Sequence, residues 1–474
     1  VAKADRVANR TWRWRLHTGE RRALLMVIDL LVASLAVYLA LALWARLDYL
    51  GPGPSSEFIR ARAPWFVLLP LAWVLLLVNL YDIHRAGSLP ETLRGVLVAA
   101  GAGVVLYLLV YFTSEPNSLP RRAVLYFLVL AVGLTLLWRW IYIRIFTAPG
   151  LLRRALIVGA GMSGRTLLES IQDLRPAPFF LVGLIDDDPA KHGQMVASAT
   201  VLGDSSSLLR VVEEERISDI IVAITGQLDG EMFQALLDAQ QRGVEITRMP
   251  VSYEELLGRV PIRILESDWL LRSFVDEVRV SSLYLLAKRL VDISGALIGL
   301  GILALAFPWI ALAILIETGR PVFFRQARLG QGGRPYSVVK FRTMRQDAEA
   351  DGQAHWAQEG DPRATRLGKI LRRTHLDEFP QFWNVLVGEM SVVGPRPERP
   401  ELVAELEKEI PFYRARLLVK PGITGWAQVN YGKGASIEGS AEKLEYDLYY
   451  IKHRGVMMDI WIILRTIGSV FGFR

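Results

Sequence analysis

The chain has 474 residues, 52% of them hydrophobic, with a formal net charge of +7, a mean hydropathy of +0.28 and no cysteine. That length suggests two or three folded units, and the apolar excess excludes an ordinary soluble protein, so membrane segments should account for it. The missing cysteines exclude disulfides, thiolate zinc sites and a cysteine nucleophile; with this much apolar sequence, the basic balance points to a lipid bilayer and phosphorylated substrates, not nucleic acid.

Four apolar segments fill the first third: Ala23 to Trp44, Trp65 to Leu80, Gly95 to Phe112 and Ala123 to Phe146. Several approach the roughly 20 residues that a spanning helix needs, the second being the shortest. Lys3, Arg6, Arg10, Arg13, Arg15, Arg21 and Arg22 precede the first, which predicts a cytoplasmic N-terminus. Four spans then return the chain to the cytoplasm at Arg153 and Arg154, although Arg121 and Arg122 fall on the predicted outer side. No small-residue cleavage site follows the first segment, so a signal peptide is not expected. Asp29 and Arg139 lie within spans and are expected to make contacts between helices. Residues 1–150 are therefore read as a four-helix transmembrane bundle.

From Arg153 the texture changes. ALIVGAGMSG reads as a buried strand, a glycine turn and a helix start, and LVGLIDDDP, ISDIIVAIT and GVEITRMP read as further strands. Alternation of strand and helix predicts a Rossmann-like parallel α/β domain over 151–276. Gly159, Gly161 and Gly164 form GxGxxG after a strand, and Asp186 ends the next one, the context of a possible nucleotide-binding turn. Tyr284 and Lys288 form YxxxK. That pair is open to a dehydrogenase reading, but at the entry to a hydrophobic helix an interfacial belt is the expected role.

Leu290 to Ile316 is apolar enough to enter a bilayer, yet Pro308 interrupts it and basic residues flank both ends: Lys288 and Arg289 before, Arg320 and Arg325 after. A helix that enters, bends at the proline and leaves by the same face accounts for both features. Next, Gly319 to Met344 interleaves Arg320, Arg325, Arg328, Arg334, Lys340 and Arg342 with glycines and aromatics. Arginine forks and a lysine point charge suit phosphate oxygens. Adjacent carboxylates Asp377 and Glu378 follow, then the proline-bracketed Arg396 of GPRP. The last stretch, Met457 to Phe473, mixes apolar residues with Asp459 and Arg465 and suits a membrane surface.

Six strings in the last 190 or so residues carry a resemblance: KRLVDISGALIG, PVFFRQARLGQGGRPY, VVKFRTM, LDEFPQFWNVLVGEMSVVGPRP, VKPGITGWAQVN and KLEYDLYYI. Residues 281–474 resemble the bacterial sugar transferases that are monotopic phosphoglycosyl transferases, and the whole chain resembles the family's large members. One departure lies at the bend of the membrane helix, where the family commonly has Ser-Pro and this chain has Phe307-Pro308.

The resemblance implies a catalytic domain with a re-entrant helix over 290–316, held on the cytoplasmic face of a bacterial inner membrane, in a protein expected to be a homodimer. It implies transfer of a hexose 1-phosphate from a UDP-hexose to undecaprenyl phosphate, with release of UMP, as the first membrane step of exopolysaccharide, capsule or O-antigen synthesis. Asp377 would be the nucleophile of a ping-pong reaction through a sugar-phosphoryl aspartate. Glu378 would be its partner and, with Asp377, a ligand of Mg²⁺. Lys340, Arg342, Arg325 and Arg396 would hold phosphate oxygens, and Asp447 would lie at the nucleotide or sugar. Two alternatives remain open: a nucleotide-sugar oxidoreductase or epimerase using the Rossmann-like domain, and a non-catalytic membrane sensor.

Overall fold

A computed structural model describes residues 18–48, 63–111, 121–146, 152–172, 174, 177–264, 281–345, 361–431 and 436–470. The chain divides into two packed units, Val1–Leu256 and Leu257–Gly472. The sequence pattern carries the α/β domain to Asp276. Instead its last helix is Met249–Leu257, and Val260 and Ile262 already belong to the core of the second unit. Residues 265–280 lie outside the described set.

In the first unit the apolar segments form helices Thr18–Asp48, Ala63–Leu76, Leu89–Tyr111 and Arg121–Phe146. Three are long and apolar enough to cross a membrane, whereas the second is a shorter apolar helix. At 14 residues it spans about 21 Å, well under a 30 Å hydrocarbon core. It contains Pro70, and the apolar run beyond it turns into a 3-10 helix over Val78–Tyr81. The charges within the apolar helices meet each other, as expected: Asp29 and Arg139 are fully buried and paired at 2.6 Å. Arg139 also donates to the Leu80 carbonyl at 3.0 Å, holding the turn that ends the short helix. Trp73 Nε1 donates to Thr135 Oγ1 at 3.1 Å.

The α/β part is a six-stranded sheet in the order β3-β4-β2-β1-β5-β6. The strands are β1 Arg154–Val158, β2 Phe180–Ile185, β3 Met195–Val196, β4 Ala199–Gly203, β5 Asp219–Val222 and β6 Glu245–Arg248. All neighbours pair parallel except β3 with β4, an antiparallel hairpin at one edge. Leu156, Val158, Ile185 and Ile220 form the buried centre.

In the second unit, Ser282–Thr318 is one long helix with Pro308 inside it. Its first half carries three polar residues that grip the domain. Arg289 donates to the carbonyls of Val385 (2.9 Å) and Leu386 (2.7 Å). Asp292, buried, accepts from Ser391 Oγ at 2.7 Å and Val392 N at 2.8 Å. Lys288 donates to the Val393 carbonyl, to Tyr450 and to Asp459 at 3.0–3.1 Å. Gly295 and Gly299, four residues apart on one face, leave room for Val392 and the Phe382 ring. The second half packs on the same unit: Ile314 joins Phe341 and Leu371 in a small core, and Glu317 caps the backbone of Arg366 and Leu367. The other face is bare and apolar, with Ile298, Leu305, Trp309 and Ile316 among the most exposed residues.

The C-terminal helix Val456–Val470 turns its charges inward. Asp459 and Arg465 are buried, and Met457, Ile460 and Ile467 are exposed. Phe473 lies outside the described residues.

Candidate active site

The site is assembled from three short elements that the preceding packing brings together. β7 (Phe323–Leu329) and β8 (Pro335–Phe341) form an antiparallel hairpin in which Lys340 lies opposite Phe324. Asn384 fixes this hairpin: its amide donates to the Ser337 carbonyl at 2.9 Å and its side-chain oxygen accepts from Val339 N at 3.3 Å. Asp377 and Glu378 lie on a single 3-10 turn, Leu376–Glu378, that follows His375 in a left-handed conformation with φ +57°. Arg396 comes from the turn after β9 (Ser391–Val393), which pairs parallel with β10 (Gly422–Thr424). Here the glycines of two sequence strings interlock. A methyl group on Gly394, Gly422 or Gly425 would strike facing backbone, so GPRP and PGITG can lie in contact only as glycines.

These elements place Glu378 between two cations. Lys340 Nζ is 2.7 Å from its Oε1, and Arg396 Nη2 is 2.6 Å from the same oxygen. Burial alone would push the Glu378 carboxyl up, but Arg396 and Lys340 overcome it and hold the group well below the usual carboxylate range. The Lys340 amine is lowered by burial, against the pull of Glu378. Asp377 is in the opposite state. It is 8% exposed, and none of the described residues donates a hydrogen bond to its carboxylate. Burial, and after it the charge of Glu378, raises its carboxyl to about 6, with Lys340, Arg372 and Arg396 offsetting part of the rise. Two adjacent carboxylates thus have their titrations pushed apart: one is a fixed anion and the other is buried and weakly compensated.

Mg²⁺ commonly binds through one or two carboxylates plus substrate phosphates and keeps several waters. The donor set fits that pattern, because Asp377 offers beside Glu378 a carboxylate to which no described residue donates. Among the described residues no group of three or more His, Asp or Glu side chains forms a closed metal cage.

The other sequence-predicted residues fall elsewhere. Arg325 lies opposite Val339, one residue out of phase with Lys340, so it leaves the other face of the hairpin and is exposed. Arg342 is 8% exposed. Its guanidinium closes on the carbonyls of Gly319 and Pro321, bracing the exit of the long helix, and Nη1 is buried without a hydrogen-bond partner among the described residues. Asp447 is 1% exposed and forms an ion pair with Arg416 at 2.9 Å. Arg372, which the sequence shows with Arg373 just before the acid pair but to which no role is assigned there, acts on Asp377 and donates to Thr343 at 3.0 Å.

The expected interfacial belt at Tyr284 and Lys288 is corrected. Both side chains turn into the protein: Tyr284 and Lys288 contact Asp459, and Lys288 also reaches Tyr450 and the Val393 carbonyl. A buried carboxylate on a distant helix outcompetes solvent for the ammonium group.

At the glycine turn, Gly159 has φ +109°, and a methyl group on Gly164 would strike the Gly159 carbonyl. Gly161 caps helix Met162–Ile171 in open space. Asp186 is engaged locally: it accepts from Ala160 N at 2.7 Å, Asp188 N at 3.0 Å and Lys191 Nζ at 3.1 Å. The acid that would bind a ribose is here bonded to the turn itself.

Residues 283–473 match the family model described as bacterial sugar transferase, and residues 76–250 match one described as CoA-binding domain. The chain is 42% identical over 224 residues to a UDP-N-acetylgalactosamine-undecaprenyl-phosphate N-acetylgalactosaminephosphotransferase of Aeromonas hydrophila, covering 47% of this chain and 52% of that protein. It is 33% identical over 321 residues to the UDP-glucose:undecaprenyl-phosphate glucose-1-phosphate transferase of Escherichia coli (strain K12), covering 67% of this chain and 68% of that protein. A Caulobacter vibrioides protein described in the same words is 40% identical over 189 residues, 39% of this chain and 70% of that protein. The chain thus spans about half the length of the Aeromonas relative.

Proposed function

The chain belongs to the bacterial sugar transferase family, and from that premise we propose that it moves a hexose 1-phosphate from a UDP-sugar to undecaprenyl phosphate and releases UMP. The observation that carries this reading is the pairing of a buried Asp377 carboxylate, which accepts no hydrogen bond from the described residues, with a Glu378 clamped by Lys340 and Arg396. A carboxylate that is poorly compensated in its resting state is a better nucleophile than one already satisfied.

In the proposed reaction an Asp377 oxygen attacks the β-phosphorus of the UDP-sugar. The P–O bond to UMP breaks and its electron pair leaves on UMP. A phosphate oxygen of undecaprenyl phosphate then attacks the same phosphorus, and the bond to Asp377 breaks to restore the carboxylate. Mg²⁺, held through Asp377 and Glu378, would supply positive charge to the diphosphate. Lys340 and Arg396 are already aimed at the anion Glu378, so they are placed to exchange part of that contact for phosphate oxygens as charge develops. Arg342 and Asp447, being buried, serve the scaffold in this reading. The competing oxidoreductase reading lacks its YxxxK pair, since Tyr284 and Lys288 are committed to Asp459.

A panel of UDP-sugars with undecaprenyl phosphate and Mg²⁺ tests the activity. At least one UDP-hexose should give UMP, and that sugar is the one transferred. Failure of every donor, or reduction of a nicotinamide cofactor by one of them, overturns the reading.

We further propose that Ser282–Thr318 is re-entrant and holds the catalytic domain on the cytoplasmic face of the inner membrane. Both halves of this helix pack on one domain, through Arg289 and Asp292 at one end and Ile314 and Glu317 at the other, which favours a single membrane face for the two ends. Cysteines introduced singly before Leu290 and after Glu317, in a chain that has none, should label from the same side of sealed vesicles. Labelling from opposite sides would make the helix a span.

A further inference from the structure

Asp447 matches a motif position expected at the substrate, yet it is 1% exposed, and its charge is spent inside the protein. It lies on helix Ile437–His453 and faces Arg416, 6% exposed, on the 3-10 helix Tyr413–Leu418. Arg416 in turn donates through Nη2 to the main-chain carbonyl of Arg396 at 3.0 Å and through Nη1 to the Tyr413 hydroxyl at 2.6 Å. The next two carbonyls are also held: Pro397 by Arg328 at 3.0 Å and Glu398 by the Leu329 amide at 3.1 Å. Three successive backbone groups are therefore fixed while the Arg396 side chain, half-exposed, is left free to reach Glu378. A buried guanidinium beside the cations Arg328 and Arg396 needs a counter-charge. Glu398 is 3.8 Å from Arg416 and is shared with Arg328 at 3.7 Å, so Asp447, at 2.9 Å, is the nearer acid.

We propose that Asp447 is a positioning residue for the transfer: through Arg416 it fixes the main chain of Arg396, and it makes no contact with substrate. The proposal rests on the reading that Arg396 receives phosphate from the donor, and the test separates the two. In the full-length protein, Asp447→Asn should raise the KM for the accepted UDP-sugar about tenfold, because the Arg416 brace then loses the nearer of its two counter-charges. Because the effect runs through Arg396, the double variant Asp447→Asn/Arg396→Ala should be within about twofold of Arg396→Ala alone. Arg416→Lys, which keeps the charge but lacks the fork, should show the same non-additivity and guards against a folding defect in the Asp447 variant. Multiplication of the two single effects would place Asp447 on the substrate or on another path and overturn the proposal. The second readout needs no turnover. Amide hydrogen exchange of a peptide covering residues 391–399 should accelerate in Asp447→Asn while the flanks of helix Ile437–His453 stay protected. Unchanged exchange there also overturns the brace, even if no UDP-sugar is turned over and the activity reading fails.

Discussion

Asp377→Asn is expected to abolish transfer and, in the metal-free protein, to raise stability at alkaline pH. The side chain keeps its size but loses the attacking oxygen charge, and removal of a nucleophile commonly costs on the order of 10⁴–10⁶ in kcat. The stability effect follows from linkage. The folded protein holds the Asp377 carboxyl near 6, above its unfolded value, because burial and Glu378 oppose its charge. A raised carboxyl favours the folded state fully below the unfolded value of roughly 4, and that contribution is lost as pH rises through 6. At pH 8 the ionised group therefore costs on the order of 3 kcal/mol, which the neutral asparagine does not. Melting in EDTA should show the variant above the wild type at pH 8 and level with it at pH 4. Transfer above a hundredth of wild type, or a lower Tm at pH 8, would count against Asp377 as the strained nucleophile.

The parts of the site that were legible in the sequence are those whose chemistry is local. Lys340, Asp377, Glu378 and Arg396 stand in short strings whose charge and proline content mark them, and the fold brings Lys340, Glu378 and Arg396 within 2.7 Å contacts. A string match does not distinguish a residue that touches substrate from one that holds the loop beneath it. Arg342 and Asp447 sit in equally marked strings, and only burial shows that their charges are spent on Pro321 and Arg416. The same limit applied to YxxxK, where the deciding partner is Asp459 on the C-terminal helix. At the glycine turn, the pattern foresaw the strand, the turn and the acid at the end of β2. It had no means to foresee that Asp186 would bond the Ala160 amide. Composition located the four apolar helices of the first unit, but Pro70 and the 3-10 turn after it shortened the second.

Glu378 separates structural from catalytic demand more sharply than any other residue. Its carboxylate is the common partner of Lys340 and Arg396, and without its charge two cations face each other in a largely buried site. Glu378→Gln retains the shape but offers only one acceptor oxygen; Lys340 is then left poorly compensated, while solvent screens the half-exposed Arg396, so the loss should be about 2 kcal/mol. The pH dependence has a definite sign. The wild-type carboxyl is held well below its ordinary value by Arg396 and Lys340, so its contribution is present above the unfolded value of about 4.3 and is lost as pH falls through the folded one. The Tm gap between wild type and Glu378→Gln should therefore be wide at pH 7 and close in strong acid. Transfer should fall by orders of magnitude too, since the variant cannot hold metal or orient the two cations. The covalent step distinguishes the roles of the neighbours. With UDP-sugar and Mg²⁺ but no lipid acceptor, wild type should release at most one UMP per site and gain one hexose-phosphate on Asp377, removable by hydroxylamine as an acyl phosphate is. Glu378→Gln should form that adduct slowly, and Asp377→Asn not at all. An adduct mapped to Glu378 would exchange the two roles. UMP release that strictly requires undecaprenyl phosphate, with no adduct trapped in any variant, would replace the two-step mechanism by direct in-line transfer.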